Sequence, residues 1–296
     1  MSKPVFTGSC VAIVTPMNTD GSINYDEYGK LIDFQIENGT DAILACGTTG
    51  ESACMNHTEH CRVIEYTLNK VNGRVPVVAG TGSNDTAYAI ELTKEAKNSG
   101  ASAVLSVTPY YNKTSQAGLV AHFTKIADAV DIPMIVYNVP SRTGCNIKPT
   151  TYVELCKHTN IVATKEANDS VGAAAQTLSL CGDKLTMYTG CDDLTVPIMS
   201  LGGKGVISVF SNIMPKEMHS IAQLCLEGNF AEASKMHLHY LELMNAMFCD
   251  VNPIPVKEAM NMMGFNCGEC RLPLVALSES TRAQLRAVMK KYGLVK

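Results

Sequence analysis

A series of short apolar runs at fairly even spacing constrains this chain more than any other feature: Cys10–Val14, Ala42–Ala45, Val75–Ala79, Ala103–Val107, Met134–Val136, Ile161–Ala163, Thr186–Tyr188 and Gly205–Val209. They are rich in Val and Ile and do not alternate with polar residues, as expected of parallel strands buried on both faces. Between them lie segments of helical period, such as 26–37, with Tyr28, Leu31, Ile32 and Phe34 among polar neighbours. Asn84-Asp85-Thr86 reads as the start of a helix running to about Asn98, and Ser115 as the cap of another carrying Leu119, Phe123 and Ile126. Eight strand–helix units predict a closed (β/α)8 barrel rather than an open doubly wound sheet.

At 296 residues the chain exceeds the roughly 250 of such a barrel. From about Pro215 it reads as helix after helix, with 230–248, 255–263 and 279–292 carrying apolar residues at helical spacing. The expected organisation is a barrel over residues 1–228 and a C-terminal helical extension over 229–296.

Charged residues make up 18% and the net charge is -4. No Lys/Arg run stands out, which argues against nucleic acid or an anionic membrane as partner. No apolar run approaches the length of a membrane span, and Val11–Val14 is broken by Thr15-Pro16 before it resembles a signal segment, so a cytoplasmic location is expected. The twelve cysteines are irregularly spaced, and Cys267-Gly-Glu-Cys270 has no second pair to complete a zinc site. They read as reduced, mostly buried thiols without a role in chemistry. His57 and His60 stand at i, i+3 without an evident third ligand, so no metal is expected; His237 and His239 read as a solvated helix face, and Met260, Met262 and Met263 as core packing.

In a barrel of this kind the site forms at the C-terminal ends of the strands. Lys165 follows an apolar run there, where burial disfavours an ammonium and a neutral amine adds to a carbonyl to form an imine. The competing reading pairs Lys165 with Glu166 for structure alone. Tyr137 ends the neighbouring strand, within about 5 Å of interstrand spacing, and imine chemistry needs such a proton carrier. Further hydroxyls such as Thr48 or Tyr111 extend that reading. Arg142, in a Ser-Arg-Thr-Gly loop, suits bidentate binding of a carboxylate. Gly47-Thr48-Thr49-Gly50 lacks a P-loop ending and Gly80-Thr81-Gly82 lacks the rest of a dinucleotide fingerprint, so neither supports a nucleotide. As a rim turn, residues 47–50 offer backbone N–H groups to a carboxylate.

GTTGES at 47–52, TPYYN at 108–112, YNVPSRTG at 137–144, KEA at 165–167, GVISV at 205–209 and NPIPVK at 252–257 together resemble the dihydrodipicolinate synthase family, across essentially the whole chain. Singly, these motifs indicate only the wider superfamily of pyruvate-dependent lysine aldolases. The resemblance implies a lyase needing no separate cofactor. Lys165 forms the imine with pyruvate, and the enamine attacks aspartate 4-semialdehyde on the route to diaminopimelate and lysine. It also implies a proton relay of Tyr137, Thr48 and Tyr111, with Tyr111 reaching a neighbouring subunit's site in a homotetramer. Thr49 would bind the pyruvate carboxylate and Arg142 that of the semialdehyde, with the backbone at Gly190 and Ile207 lining the pocket.

Ser52, Ala53, His57, His60, Asn84 and Tyr110 match a lysine-feedback site, but Tyr88 stands where lysine-sensitive relatives carry a glutamate, so weak or absent feedback is expected. Thr114, where the family often has proline, is expected to loosen the loop carrying Tyr111. The alternatives are an N-acetylneuraminate lyase or keto-deoxy sugar acid aldolase, which share the imine, or a non-catalytic relative. Arg142 argues for a second carboxylate rather than a sugar chain.

Overall fold

The computed structural model describes residues 4–296. Its eight strands are β1 (Gly8–Ala12), β2 (Ala42–Ala45), β3 (Val77–Gly80), β4 (Ala103–Val107), β5 (Met134–Asn138), β6 (Ile161–Glu166), β7 (Thr186–Thr189) and β8 (Gly205–Ser208). They pair in chain order, all parallel, and β8 returns to β1 to close a (β/α)8 barrel. Strand residues alternate between two apolar environments. Cys10, Leu44, Val78, Ile135, Ala163 and Ile207 fill the barrel interior, while Val11, Ile43, Val77, Val104, Val136 and Val206 pack beneath the surrounding helices. Both faces exclude water, so each strand reads as a continuous apolar run. Inside the barrel, Tyr188 stacks on Phe6 with ring centroids 4.2 Å apart and donates its hydroxyl to the Phe6 carbonyl.

Local signals set the helix starts. Asn24 caps the helix Tyr25–Glu37, Asp85 caps Thr86–Asn98 and Ser115 caps Gln116–Ala129, each accepting from a backbone N–H of the first turn. The helix Pro215–Leu226 follows β8 and packs on β1 and β8. Helices Phe230–Ala246, Ile254–Met262 and Glu279–Lys291 come after it. The first of these packs along Pro215–Leu226, and the last two pack on each other.

Two expectations change. His237 is not on a solvated face: only 5% exposed, it sets Nε2 2.9 Å from the Asp193 carbonyl and so joins the tail helix to the barrel mouth. His239 is exposed, with its ring edge-on to Tyr240 and Tyr292. β6 does not stop at Ala163 but runs to Glu166, because it keeps pairing with β5 and β7 as far as Asn138 and Thr189. All twelve cysteines are free; six are buried, five half-buried, and Cys249 is exposed. Met260 is fully buried, and Met262 and Met263 pack against the same core. Among the described residues no helix is long and apolar enough to cross a membrane.

Candidate active site

The longer β6 explains how Lys165 reaches the barrel mouth. Ala163 faces the interior, so Lys165, two residues on, faces it too, while Thr164 and Glu166 point outward. Tyr137 bears the same relation to Ile135 and is the register partner of Lys165 across β5 and β6. Lys165 Nζ sits 4.4 Å from the centroid of the Tyr137 ring. Lys165 and Tyr137 are 5% and 6% exposed, so both sit where water is scarce.

Glu166 is not the partner of Lys165. It lies outside the barrel wall, accepting hydrogen bonds from Asn138 Nδ2 at 2.8 Å and the Tyr152 hydroxyl at 2.9 Å. Burial pushes its carboxyl up to about 7 against those bonds, which favour the ionised form. The two neighbours in sequence therefore occupy separate environments, and the structural pairing of Lys165 with Glu166 falls away.

Lys165 opens into a cavity of about 300 Å3 whose walls include Thr48, Thr49, Tyr137, Arg142, Gly190 and Asn252. Gly190 is required by close approach: a Cβ there would lie 2.8 Å from Lys165 Cε and 2.9 Å from Ala167 Cβ. Its amide donates to the Glu166 carbonyl at 2.7 Å, fixing the loop beside the amine. Ile207, expected in the wall, is buried in the barrel interior, and Val209, two residues further on, lines the cavity. In the turn after β2 the amides of Gly50, Glu51 and Ser52 bond back to the carbonyls of Gly47 and Thr48. That closes the turn and presents Thr48 and Thr49 to the cavity.

The description "Dihydrodipicolinate synthetase family" belongs to a family model that matches residues 5–292. The chain belongs to this family. It is 52% identical over 295 residues to the 4-hydroxy-tetrahydrodipicolinate synthase of Acetivibrio thermocellus, covering 100% of both chains. The crystal structure of dihydrodipicolinate synthase from Aquifex aeolicus superposes with a TM-score of 0.96 at 45% identity, covering 98% of this chain and 99% of that one. The chloride-inhibited dihydrodipicolinate synthase from Acinetobacter baumannii, solved with pyruvate, matches with a TM-score of 0.96 at 42% identity over 98% of this chain and 99% of that one.

In this member of the dihydrodipicolinate synthetase family, the helical tail reaches into the site, which the sequence pattern did not disclose. Asn252 donates to the Thr49 hydroxyl at 3.0 Å, and its carbonyl accepts from Arg142 Nη2 at 3.2 Å. One tail residue thus holds both carboxylate-binding candidates. Lys257 pairs with Glu51 at 2.8 Å and donates to the Glu269 carbonyl, with its side chain 2% and that of Glu51 0% exposed. Glu51, at φ +57, also accepts from the Arg271 amide, so the turn carrying Thr48 and Thr49 is bolted to the tail.

Tyr111 does not join its own cavity. It is 92% exposed at φ +68, a left-handed conformation that is costly for a bulky residue. The loop is held from below, with Asn112 Nδ2 donating to the Asn84 carbonyl and Asn84 Nδ2 to the Tyr110 carbonyl. A second cavity of about 350 Å3 is walled by Ser52, Ala53, His60, Tyr88 and Tyr110 and shares Thr48 and Arg142 with the first. His60 sets Nε2 2.7 Å from the Gly80 carbonyl, and burial lowers its pKa, keeping the ring neutral. Of the remaining candidates, Asn84 sits under the Tyr110 loop and His57 behind the wall, its ring 5.9 Å from that of Tyr88. Among the described residues no cluster of three or more His, Cys, Asp or Glu side chains could hold a metal ion.

Proposed function

We propose that this chain is a 4-hydroxy-tetrahydrodipicolinate synthase, the name carried by its 52% identical relative from Acetivibrio thermocellus, and that it condenses pyruvate with aspartate 4-semialdehyde. The observation that carries the reading is the buried Lys165 amine lying on the Tyr137 ring, in a cavity that also holds Arg142. Thr49 receives the pyruvate carboxylate, and the Lys165 amine adds to the ketone carbon. Tyr137, relayed through Thr48, protonates the departing hydroxyl as water leaves the carbinolamine and an imine forms. The Tyr137 oxygen, deprotonated in that step, takes a methyl proton to give the enamine, whose carbon attacks the aldehyde of the second substrate as the proton passes to the aldehyde oxygen, while Arg142 holds that substrate's carboxylate. The semialdehyde's own amine then adds to the imine carbon, and expulsion of the Lys165 amine closes the ring and restores the enzyme. No separate cofactor enters this sequence.

The same proposal assigns residues 1–228 as the catalytic barrel and 229–296 as the helical extension. It places the enzyme in the cytoplasm as a homotetramer in which Tyr111 of one copy completes the relay of another; its exposure and loop conformation suit donation outward. It also reads the second cavity as a lysine site weakened by Tyr88, which offers no carboxylate to an ammonium. Steady-state assay tests the main reading. Pyruvate with aspartate 4-semialdehyde gives turnover and N-acetylneuraminate gives none; the reverse result assigns the sugar-acid branch instead.

A further inference from the structure

Behind the reacting side chains, the ends of β5 and β6 are joined a second time. Asn138 and Glu166 follow Tyr137 and Lys165, and each pair is in register across the two strands. Alternation along a strand turns Tyr137 and Lys165 into the barrel and Asn138 and Glu166 outward, beneath the helices. Both outward residues are buried, and Asn138 Nδ2 donates to Glu166 Oε1 at 2.8 Å. The Tyr152 hydroxyl, on the helix Pro149–Leu155, donates to Glu166 Oε2 at 2.9 Å and accepts from Thr164 Oγ1 at 3.0 Å. Asn138 Nδ2 also donates to Asn146 Oδ1 at 2.8 Å, and Asn138 Oδ1 accepts the Ile147 amide at 3.0 Å. Each polar atom of the two side chains thus has a protein partner, as buried polar groups require.

We propose that Asn138 and Glu166 are positioning residues, whose hydrogen bond on the outer face of the barrel wall holds the ends of β5 and β6 so that the Lys165 amine meets the Tyr137 ring. This rests on the condensation reading above and deepens it by naming what aligns the amine. The need is geometric. Inside the barrel, Lys165 Nζ rests on the Tyr137 ring without a hydrogen bond or ion pair to a described residue, so the strand decides where the amine stands. Past Glu166 the ladder to β5 continues with one bond, from the Ala167 amide to the Asn138 carbonyl at 2.9 Å. Strand ends held by the backbone alone open most easily. A side-chain bond between the terminal residues, where water does not compete for it, keeps this end closed. Glu166 is the cleaner half to alter, because Asn138 also ties together the two ends of the turn 139–146 that carries Arg142.

The test follows pyruvate imine formation on the folded full-length enzyme, by borohydride quench at timed intervals, as a function of pyruvate concentration. Glu166→Met keeps the length and the burial but offers Asn138 no carboxylate oxygen. Its rate constant at saturating pyruvate falls at least about tenfold, since displacing a reacting group by about 1 Å costs up to roughly 100-fold. The pyruvate concentration giving half that rate changes less than about threefold, because the carboxylate is held by Thr49, on the turn after β2. Glu166→Gln keeps an oxygen for Asn138 Nδ2, the Tyr152 and Thr164 hydroxyls reverse to accept its amide, and its rate constant stays within about threefold of the parent. Should Glu166→Met fail to fold, Asn138→Ser, too short to reach Glu166, is held to the same loss of rate. A pair serving stability alone would lower the melting midpoint and leave the rate constant per folded enzyme within about twofold, and that result overturns the proposal. So does a Glu166→Gln variant as slow as Glu166→Met, which would make the charge and not the hydrogen bond responsible. Failure of the condensation reading is distinguishable, because the parent itself then forms no trapped adduct with pyruvate.

Discussion

Removing Lys257 isolates what the tail does for the catalytic turn. In Lys257→Met a side chain of similar length keeps the packing but leaves Glu51 buried, with the Arg271 amide as partner and no cation at 2.8 Å. Breaking a buried pair from one side costs about 3–5 kcal/mol, because the surviving charge keeps its desolvation penalty without its Coulombic partner. At about 2–4 °C per kcal/mol for a chain of this size, the apparent unfolding midpoint at fixed scan rate falls by roughly 6–20 °C. The double variant Glu51→Gln, Lys257→Met removes both charges while Gln still accepts the Arg271 amide, so it recovers to within about 1–2 kcal/mol of the parent. Activity separates the two roles: if the pair positions Thr48 and Thr49, both variants raise the KM for pyruvate, whereas only the single variant melts early. A single variant that costs less than about 1 kcal/mol, or a double variant no better than the single, refutes the reasoning.

Gly190→Ala forces a Cβ against Lys165 Cε at 2.8 Å and Ala167 Cβ at 2.9 Å, so the lysine chain moves aside and the backbone at Ala167 must shift as well; pyruvate trapping drops at least about tenfold and the melting midpoint falls. Asn252→Ala removes the side-chain bond to Thr49 while the backbone carbonyl at 252 still accepts from Arg142, so steady-state kinetics show KM rising for pyruvate with little change for the semialdehyde, whereas Arg142→Ala raises it for the semialdehyde alone. Glu166, raised from 4.5 to about 7, is destabilising once ionised in the fold, so its contribution to stability is lost as pH rises from about 4.5 through 7. Glu166→Gln removes that loss: chemical denaturation at pH 8 finds the variant more stable by up to roughly 3 kcal/mol, and at pH 4 the two are alike.

The barrel was legible because parallel strands lie between two apolar layers, so the runs stand out even where their ends do not. Lys165 was legible for the same reason, a cation at the end of such a run. That it lies inside the strand was not, since strand ends are decided by pairing with Asn138 and Thr189, which no local pattern states. The roles of Asn252 and Lys257 were hidden because their partners Thr49 and Glu51 lie more than 200 residues away, and NPIPVK read alone is simply a helix start. His237 and His239 read together as a solvated helix face, but two positions apart on a helix they point to nearly opposite sides, and the Asp193 carbonyl that buries His237 belongs to the barrel mouth.

The most direct test of the account is borohydride reduction of the enzyme with pyruvate, followed by peptide mass mapping. The account requires a single reduced adduct on the peptide containing Lys165, absent from Lys165→Arg and slowed but still present in Tyr137→Phe. An adduct on another lysine, or none under conditions that support turnover, would contradict it.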